Sequence, residues 1–525
     1  MINQKPGETI QSSTAGERSY QFSLISLAAA IIVLLISLFL LTREAVLSLK
    51  SYNIAQGVFG SPWVGLDNFK RLFSSFAFPV IMRNTIIFNL LFAGMFFAAS
   101  AAAGYLIRAL PRRIGEILAM LGALLAILPS EVYVSWLFHT MGTMVFANAG
   151  AMRFLHPFIC MIKYLGIPLT AIYLHNEVYE NSDLLIPIKI AGLFSMASLV
   201  LITSGFFSIT NSLINPLTVE TMDISDTYIF RTGFAGADFD LANALAIVRM
   251  LITLVSAAIL FLPIMLLFRS IFDGEKKTAL PGGIPDRLIS AAVALGIFAA
   301  LYFLPFILKG RSFSFELLRY PDNIALSFIS CLVLSSIAAL ISTLSAVLIG
   351  GAFVSPSKPI RITTGVIMAI ITIVTIGRVR IGNYLLMRDI GAIDTGFAVI
   401  MSGCFSVAAV WAMACMMRNE SSISSKTMLY LMLGMFLVQT ALIFANITPQ
   451  LPYQRTPKFS PVLMYRQMIL ALPSIDDTAQ RAQVSASTNL FGFLTALPSI
   501  LLTLAAAVLI PKRGLLAVIS AGIKG

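Results

Sequence analysis

Three ionisable residues stand inside otherwise apolar runs of this chain: Glu131, Lys163 and Arg249. A charge in a hydrocarbon-facing segment is costly, so it marks either a function or an ion pair. Glu131 belongs to "PSEVYVSW" (129–136), which also supplies Tyr133 and Trp136. Aromatic faces beside charged groups suit a sugar, whose rings are apolar on their faces and rich in hydroxyls at their edges. At a rise of ~1.5 Å per residue, each of the three charges falls roughly 9 Å below the outer end of its run. Two readings are open. Either Glu131 pairs with Lys163 while Tyr133 and Trp136 act as interfacial anchors, or the set lines a substrate pathway. Lys189 lies near the inner end of its run and reads as snorkelling. No run in the second half of the chain carries a deep charge.

Other chemistries find little support. No G-x-x-x-x-G-K-[ST] occurs, so the chain has no P-loop for a nucleotide, and no Ser/His/Asp or Cys/His arrangement stands out. The four cysteines (Cys160, Cys331, Cys404, Cys415) all fall in apolar runs and read as small packing residues. His156 and Cys160 share an i, i+4 spacing, but two ligands do not make a metal site. The expectation is a protein that is not an enzyme and holds neither cofactor nor metal.

The elements that must position these residues follow from composition. Of 525 residues, 58% are hydrophobic and 11% charged, with a mean hydropathy of +0.89. A soluble domain carries about 25% charge, and about 20 apolar residues cross a bilayer as a helix. The fold class is therefore all-α and polytopic. Twelve spans are expected, the first six at about 22–42, 85–107, 114–137, 157–174, 184–206 and 243–268. The second six are expected at about 288–308, 323–353, 362–378, 396–417, 427–446 and 491–510. Residues 1–21 read as a polar, disordered tail, and 22–41 as a retained helix rather than a cleaved signal. The net charge of +12 reads as inner-loop bias and contact with membrane lipid; basic runs are too short for nucleic acid.

The halves 22–268 and 288–525 echo each other across the linker 269–287. Each has a long small-residue helix ("AASAAAG", 98–104; "LIGGAF", 348–353) followed by a basic proline loop ("LPRRIG"; "SPSKPIRI"). Each has a polar break before its fifth span, "HNEVYENSD" (175–183) and "RNESSISSK" (418–426). Six spans per half give two parallel repeats about an axis along the membrane normal. The short loops "RALPRR" (108–113), "SKPIR" (357–361) and "PKRG" (511–514) carry basic residues without acids, which sets them, the linker and both termini in the cytoplasm.

The segment "FGSPWVGLDNFKRLFSS" followed by "RNTIIFNLL" resembles the first outer loop and second helix of permease subunits from carbohydrate-uptake ABC importers. The type that handles oligosaccharides with a lipoprotein receptor is the most similar. "NPLTVETMDISDTYIFRTG" (215–233), leading into "ANALAIVRMLI", resembles the last outer loop and helix of that subunit. "RIGNYLLMRDIGAIDTGFAVIMSG" (380–403) and "RGLLAVISAGIKG" (513–525) resemble the partner permease. The resemblance covers most of the chain and implies two permeases fused through a linker, in a bacterial cell membrane. It further implies an ABC ATPase subunit and an extracytoplasmic substrate-binding lipoprotein as partners.

In that family the loop between the fourth and fifth helices carries E-A-A, then D-G-A and a later L-P, and its short helix docks on the ATPase. Here that loop is reduced to about nine residues in each half, with neither motif. The remnants hold Glu177, Glu180 and Asp183 in one half and Arg418, Glu420 and Lys426 in the other. Three functions follow as expectations: a carbohydrate importer's permease, a permease-derived accessory or scaffold without ATPase coupling, and, less favoured, a secondary transporter with Glu131 as its only deep carboxylate.

Overall fold

A computed structural model describes residues 6–180, 183–201, 206–272, 277, 283–315, 324–375, 381–419, 425–446, 451–454, 456–510 and 512, without the side chains of 6–20, 418, 419 and 425–427. Each long apolar run is helical, since a helix satisfies its own backbone where no water can. The first half contains α1 (Pro6–Ser48), α2 (Ala77–Ala109), α3 (Arg112–Ile127), α4 (Ser130–Met141), α5 (Ala149–Tyr164), α6 (Gly166–Val178), α7 (Ile186–Leu201) and α8 (Phe239–Phe272). The second contains α9 (Ile284–Leu308), α10 (Ile324–Gly351), α11 (Lys358–Thr375), α12 (Gly396–Gly403), α13 (Val407–Asn419), α14 (Ser425–Ala445), α15 (Pro461–Ala471) and α16 (Thr478–Leu509).

Among the described residues, nine helical stretches are long and apolar enough to cross a membrane, or eleven if each of two bent pairs is one span. Twelve uniform spans were expected, and two of them need correction. The run 114–137 is not one straight helix, because α3 and α4 meet at 104°. Pro129 has no N–H and holds Leu128 extended, at φ −54° and ψ 128°, which stops α3. The run 396–417 bends by 44° between α12 and α13. The expected tail is also helical from Pro6, since a proline fits the first turn of a helix and no second one follows before Tyr20.

Small residues set how closely the helices approach. A Cβ on Gly104 of α2 would overlap Ile172 of α6, and one on Gly122 of α3 would overlap the backbone of Gly166 at the start of α6. In the second half Gly350 of α10 lies against Ala414 and Met413 of α13.

The two halves repeat the same neighbours. In the first, α2 packs on α6 and α7, and α7 packs on α8; in the second, α10 packs on α13 and α14, and α14 packs on α16. The opening helices are exchanged: α1 lies against α11 and α10, while α9 lies against α3. One apolar core draws on both halves, with Phe88, Phe92, Tyr133 and Phe206 from the first packed with Tyr302, Tyr465 and Phe491 from the second.

Polar contacts gather at the two ends of the bundle. At one end Arg112 meets Glu177, Lys189 meets Asp183 and Arg113 meets Asp286. At the other, Arg43 of α1 pairs with Asp389 at 3.2 Å, and Arg71 pairs with Asp238 at 2.5 Å. There the segment after α1 is folded back on the bundle. Asn68 Nδ2 donates to the carbonyls of Ser48 and Lys50 at 3.1 and 2.9 Å, and Tyr52 N donates to Asp240 at 3.0 Å.

Candidate functional site

The break at Leu128–Pro129 builds the site. It turns α4 out of line with α3 and carries Glu131 in the first turn of α4, where a negative charge is favoured by the helix dipole. Glu131 is 4% exposed. Its Oε1 accepts from Ser208 Oγ at 3.1 Å and lies 3.9 Å from Arg466 Nη1 of α15. With the Asn211 amide turned so that its oxygen faces Arg466, the guanidinium donates to it at 2.9 and 3.0 Å. Glu131 is thus paired across the two halves, by a residue that the sequence reading missed. Arg466 lies in the 11-residue helix α15, too short to read as a span on its own.

Glu131 and Lys163, expected to face each other, act on each other electrostatically without making a contact pair. Lys163 is 2% exposed, and no ion pair within 4.0 Å joins it to Glu131. Its ammonium donates instead to the Leu128 carbonyl, one of the acceptors freed where α3 stops. It also lies over the rings of Tyr133 and Tyr164, at 5.2 and 5.8 Å from their centroids. The physical reason is the bend, which gives Lys163 a neutral acceptor at the end of α3. Depth needs correction, because α5 begins at Ala149 and Lys163 sits near the middle of the continuous stretch Ala149–Val178.

Tyr133 and Trp136 stack at 6.5 Å with 16° between their planes, which leaves them as two faces of one wall. Tyr133 Oη donates to Ile159 O at 3.0 Å, and Trp136 Nε1 donates to Tyr302 O of α9 at 3.2 Å. Tyr133 is buried and Trp136 half-buried, and each is hydrogen-bonded to the backbone of a neighbouring helix. The gathered groups are a carboxylate, a guanidinium, an amide, a hydroxyl and aromatic faces, all set where the halves meet. Such a set can bind a polyhydroxylated solute by hydrogen bonds and ring stacking.

Arg249 belongs elsewhere. It is 2% exposed and pairs with Asp226 of the short helix Ser225–Phe230 at 2.5 Å. Asp223 nearby pairs with Arg231 at 2.5 Å. Arg249 thus ties α8 to the helix Ser225–Phe230 rather than joining Glu131. His156 Nε2 and the Thr210 hydroxyl lie 2.8 Å apart. Among the described residues no group of three or more His, Cys, Asp or Glu side chains gathers to hold a metal.

The remnant at 175–183 is not a free loop. Residues 175–178 are the last turn of α6, and Glu177 bonds to Arg112 at 3.1 Å and to Lys512 at 2.6 Å. Asp183 pairs with Lys189 at 2.6 Å, while its carbonyl accepts from Arg108 at 2.6 Å. Glu180 is exposed. Chain from the linker covers the same turn. Lys277 N donates to Val178 O at 2.9 Å, Lys277 Nζ donates to Asn176 O at 2.8 Å, and Tyr179 Oη donates to Phe272 O at 3.2 Å. In the other remnant, Glu420 and the side chains of Arg418 and Lys426 lie outside the described residues.

No protein-family model matches the chain, and neither a curated protein nor a solved structure matches it.

Proposed function

We propose that the chain is the membrane-spanning permease of a carbohydrate-type ABC importer, with its substrate pathway running between the two halves. The observation that carries this reading is the cross-half cluster of Glu131, Arg466, Asn211, Ser208 and Trp136, which sets charge, amide and aromatic face at one seam. The exchanged opening helices support it, since they allow the halves to rock about a shared axis while staying attached. A lipoprotein receptor at the outer face and an ATPase at the inner face belong to the same reading.

A second reading is favoured by one observation. Glu177 and Asp183, the charges left in the first coupling remnant, are consumed by Arg112, Lys512 and Lys189. A turn already bonded within the chain offers an ATPase little to hold, which fits an accessory protein derived from a permease.

Trp136 reports on the site directly. With Trp63 and Trp411 changed to Phe it is the only tryptophan left. A panel of neutral oligosaccharides is titrated against the purified protein, and a saturable emission change that disappears in Glu131→Gln and Arg466→Gln is expected. Silence across the panel contradicts the carbohydrate pathway. Affinity purification from native membranes separates the two readings: an ATPase that comes along favours the importer, and its absence favours the accessory protein.

A further inference from the structure

The stretch "FGSPWVGLDNFKRLFSS" (59–75) takes no part in the Glu131 site, and α1 shows where it lies. Ile25, Ile32, Ile36 and Phe39 recur at helical spacing on one face of α1, and all four are exposed. In a membrane span, an apolar face that no other helix covers is covered by lipid. Arg43 and Leu47 continue that face, and Lys50 follows just beyond the helix end. Yet these three are only 6%, 0% and 3% exposed.

The stretch itself covers them. The chain turns back after Ser48, and Lys50 and Trp63 form an antiparallel bridge. Ser51 N donates to Pro62 O and Val64 N donates to Leu49 O, both at 3.0 Å. The Lys50 ammonium donates to Phe59 O and lies 4.9 Å from the centre of the Trp63 ring. The Arg43 guanidinium lies 5.6 Å from the centre of the Phe59 ring, and Leu47 packs with Val58 and Leu72. A collar thus sits on the lipid-facing side of α1. Phe59 and Trp63 form its outward surface, each more than half exposed.

Two helices place this collar at the same level of the bilayer. On α1 the exposed run from Phe22 to Phe39 rises ~26 Å, most of a hydrocarbon core of ~30 Å. Phe59, over Arg43 one turn further on, falls at the edge of that core, and Trp63, beside Lys50, falls beyond it. On α2, Arg83 is exposed on the face that carries Ile86, Leu90 and Phe97, and it has no partner among the described residues. It stands ~37 Å along the helix from Arg108, enough to cross the core and enter both headgroup layers. A guanidinium at that height meets lipid phosphate rather than hydrocarbon. Trp136 and Trp411 donate to Tyr302 O and to the Thr372 hydroxyl, whereas the Trp63 N–H has no acceptor among the described residues. An apolar ring with one free N–H suits the boundary between lipid and water.

We propose that residues 51–66 form a collar seated in the phospholipid headgroup layer at this end of the bundle. Phe59 marks the edge of the hydrocarbon and Trp63 lies among the headgroups. Tyr52 N, bonded to Asp240 at 3.0 Å, ties the collar to the start of α8, so its seat fixes the depth of that helix too. The collar has this role whatever the protein carries.

Tryptophan quenching of the full chain in lipid nanodiscs tests it, since aqueous quenchers reach both faces there. The Trp63 signal is the emission of the wild-type chain minus that of Trp63→Phe, and a Trp136→Phe/Trp411→Phe chain isolates it a second way. Phe59→Trp in the Trp63→Phe background is the deeper reporter. The quenchers are a nitroxide on the headgroup, bromines at the middle of the acyl chain, and iodide in water. The headgroup nitroxide is expected to quench Trp63 severalfold more than the bromines do. Iodide is expected to quench it severalfold less than it quenches free tryptophan. The Phe59→Trp reporter is expected to move that balance toward the bromines. Iodide quenching equal to that of free tryptophan would put the face in water, ready for a protein partner, and overturns the proposal. Strongest quenching of Trp63 by the bromines overturns it too, and so does a Phe59→Trp reporter shallower than Trp63.

Discussion

Lys512 Nζ lies 2.6 Å from Glu177 Oε2, so the last described residue of the second half is held on the end of α6 in the first. Arg112 approaches the same oxygen at 3.1 Å. One carboxylate therefore clamps the basic loop after α2, the end of α6 and the chain beyond α16. The turn expected to face an ATPase is part of the closure between the halves.

The seam charges differ in what they hold, and a mutant cycle separates them. Glu131→Gln and Arg466→Gln are expected to be coupled in thermal stability by about 1 kcal/mol, because the pair is loose and Arg466 is partly exposed. Glu131→Gln and Lys163→Met are expected to show a smaller coupling, since Lys163 donates to a backbone carbonyl. A stronger coupling of Glu131 to Lys163 than to Arg466 contradicts this assignment.

Arg249 and Asp226 form a tight buried pair at 2.5 Å. Removing either alone strands a charge out of water and is expected to cost roughly 3–5 kcal/mol. The double variant Arg249→Met/Asp226→Leu is expected to lose less than either single change, read from melting curves in one detergent. Additive losses would mean that the two act separately.

Glu131, Lys163 and Arg249 were legible in the sequence as buried charges because a helix span reveals depth along its axis. Their partners were not legible, because depth says nothing of which way a side chain faces. Arg466 hides in "PVLMYRQMILALPS", a stretch too short to read as a span, and pairs only once α15 docks beside α4. The bend at Pro129 was readable in principle: a proline two residues before Glu131 already argues against a straight helix. Hydropathy averaged over the run concealed it. Loop order suggested that the halves echo each other, whereas the packing of α1 on α10 and α11 and of α9 on α3 depends on contacts that no local pattern encodes.

Asp183 gives a pH signature outside the membrane-spanning helices. The Lys189 ammonium, helped by the Leu185 N–H at 2.8 Å, holds its carboxyl below the usual 3.8. Arg108 adds a weaker pull of the same sign. A depressed carboxyl contributes stability that is complete above the unfolded value and lost as pH falls through the lower folded value. The wild-type advantage over Asp183→Asn in melting temperature is therefore expected to be flat above about pH 4 and to vanish on further acidification. An advantage that persists in strong acid would show that Lys189 does not sense the Asp183 charge.

In the proposed transport reading, solvent and solute reach the Glu131 site from one face when the seam at Glu177 and Lys512 is shut. In a chain with Cys160, Cys331, Cys404 and Cys415 replaced, Ser208→Cys reports the Glu131 site and Thr170→Cys reports α6, two turns before Glu177. Glu177→Cys and Lys512→Cys, joined by a short bifunctional reagent before the reporter is tested, lock the inner seam. Labelling of the reporter by an impermeant thiol reagent in oriented vesicles is then measured from each face, with and without the lock. The lock is expected to raise labelling at position 208 from the outer face and to suppress labelling at position 170 from the inner face. Labelling at both positions that ignores the lock would contradict a pathway between the halves.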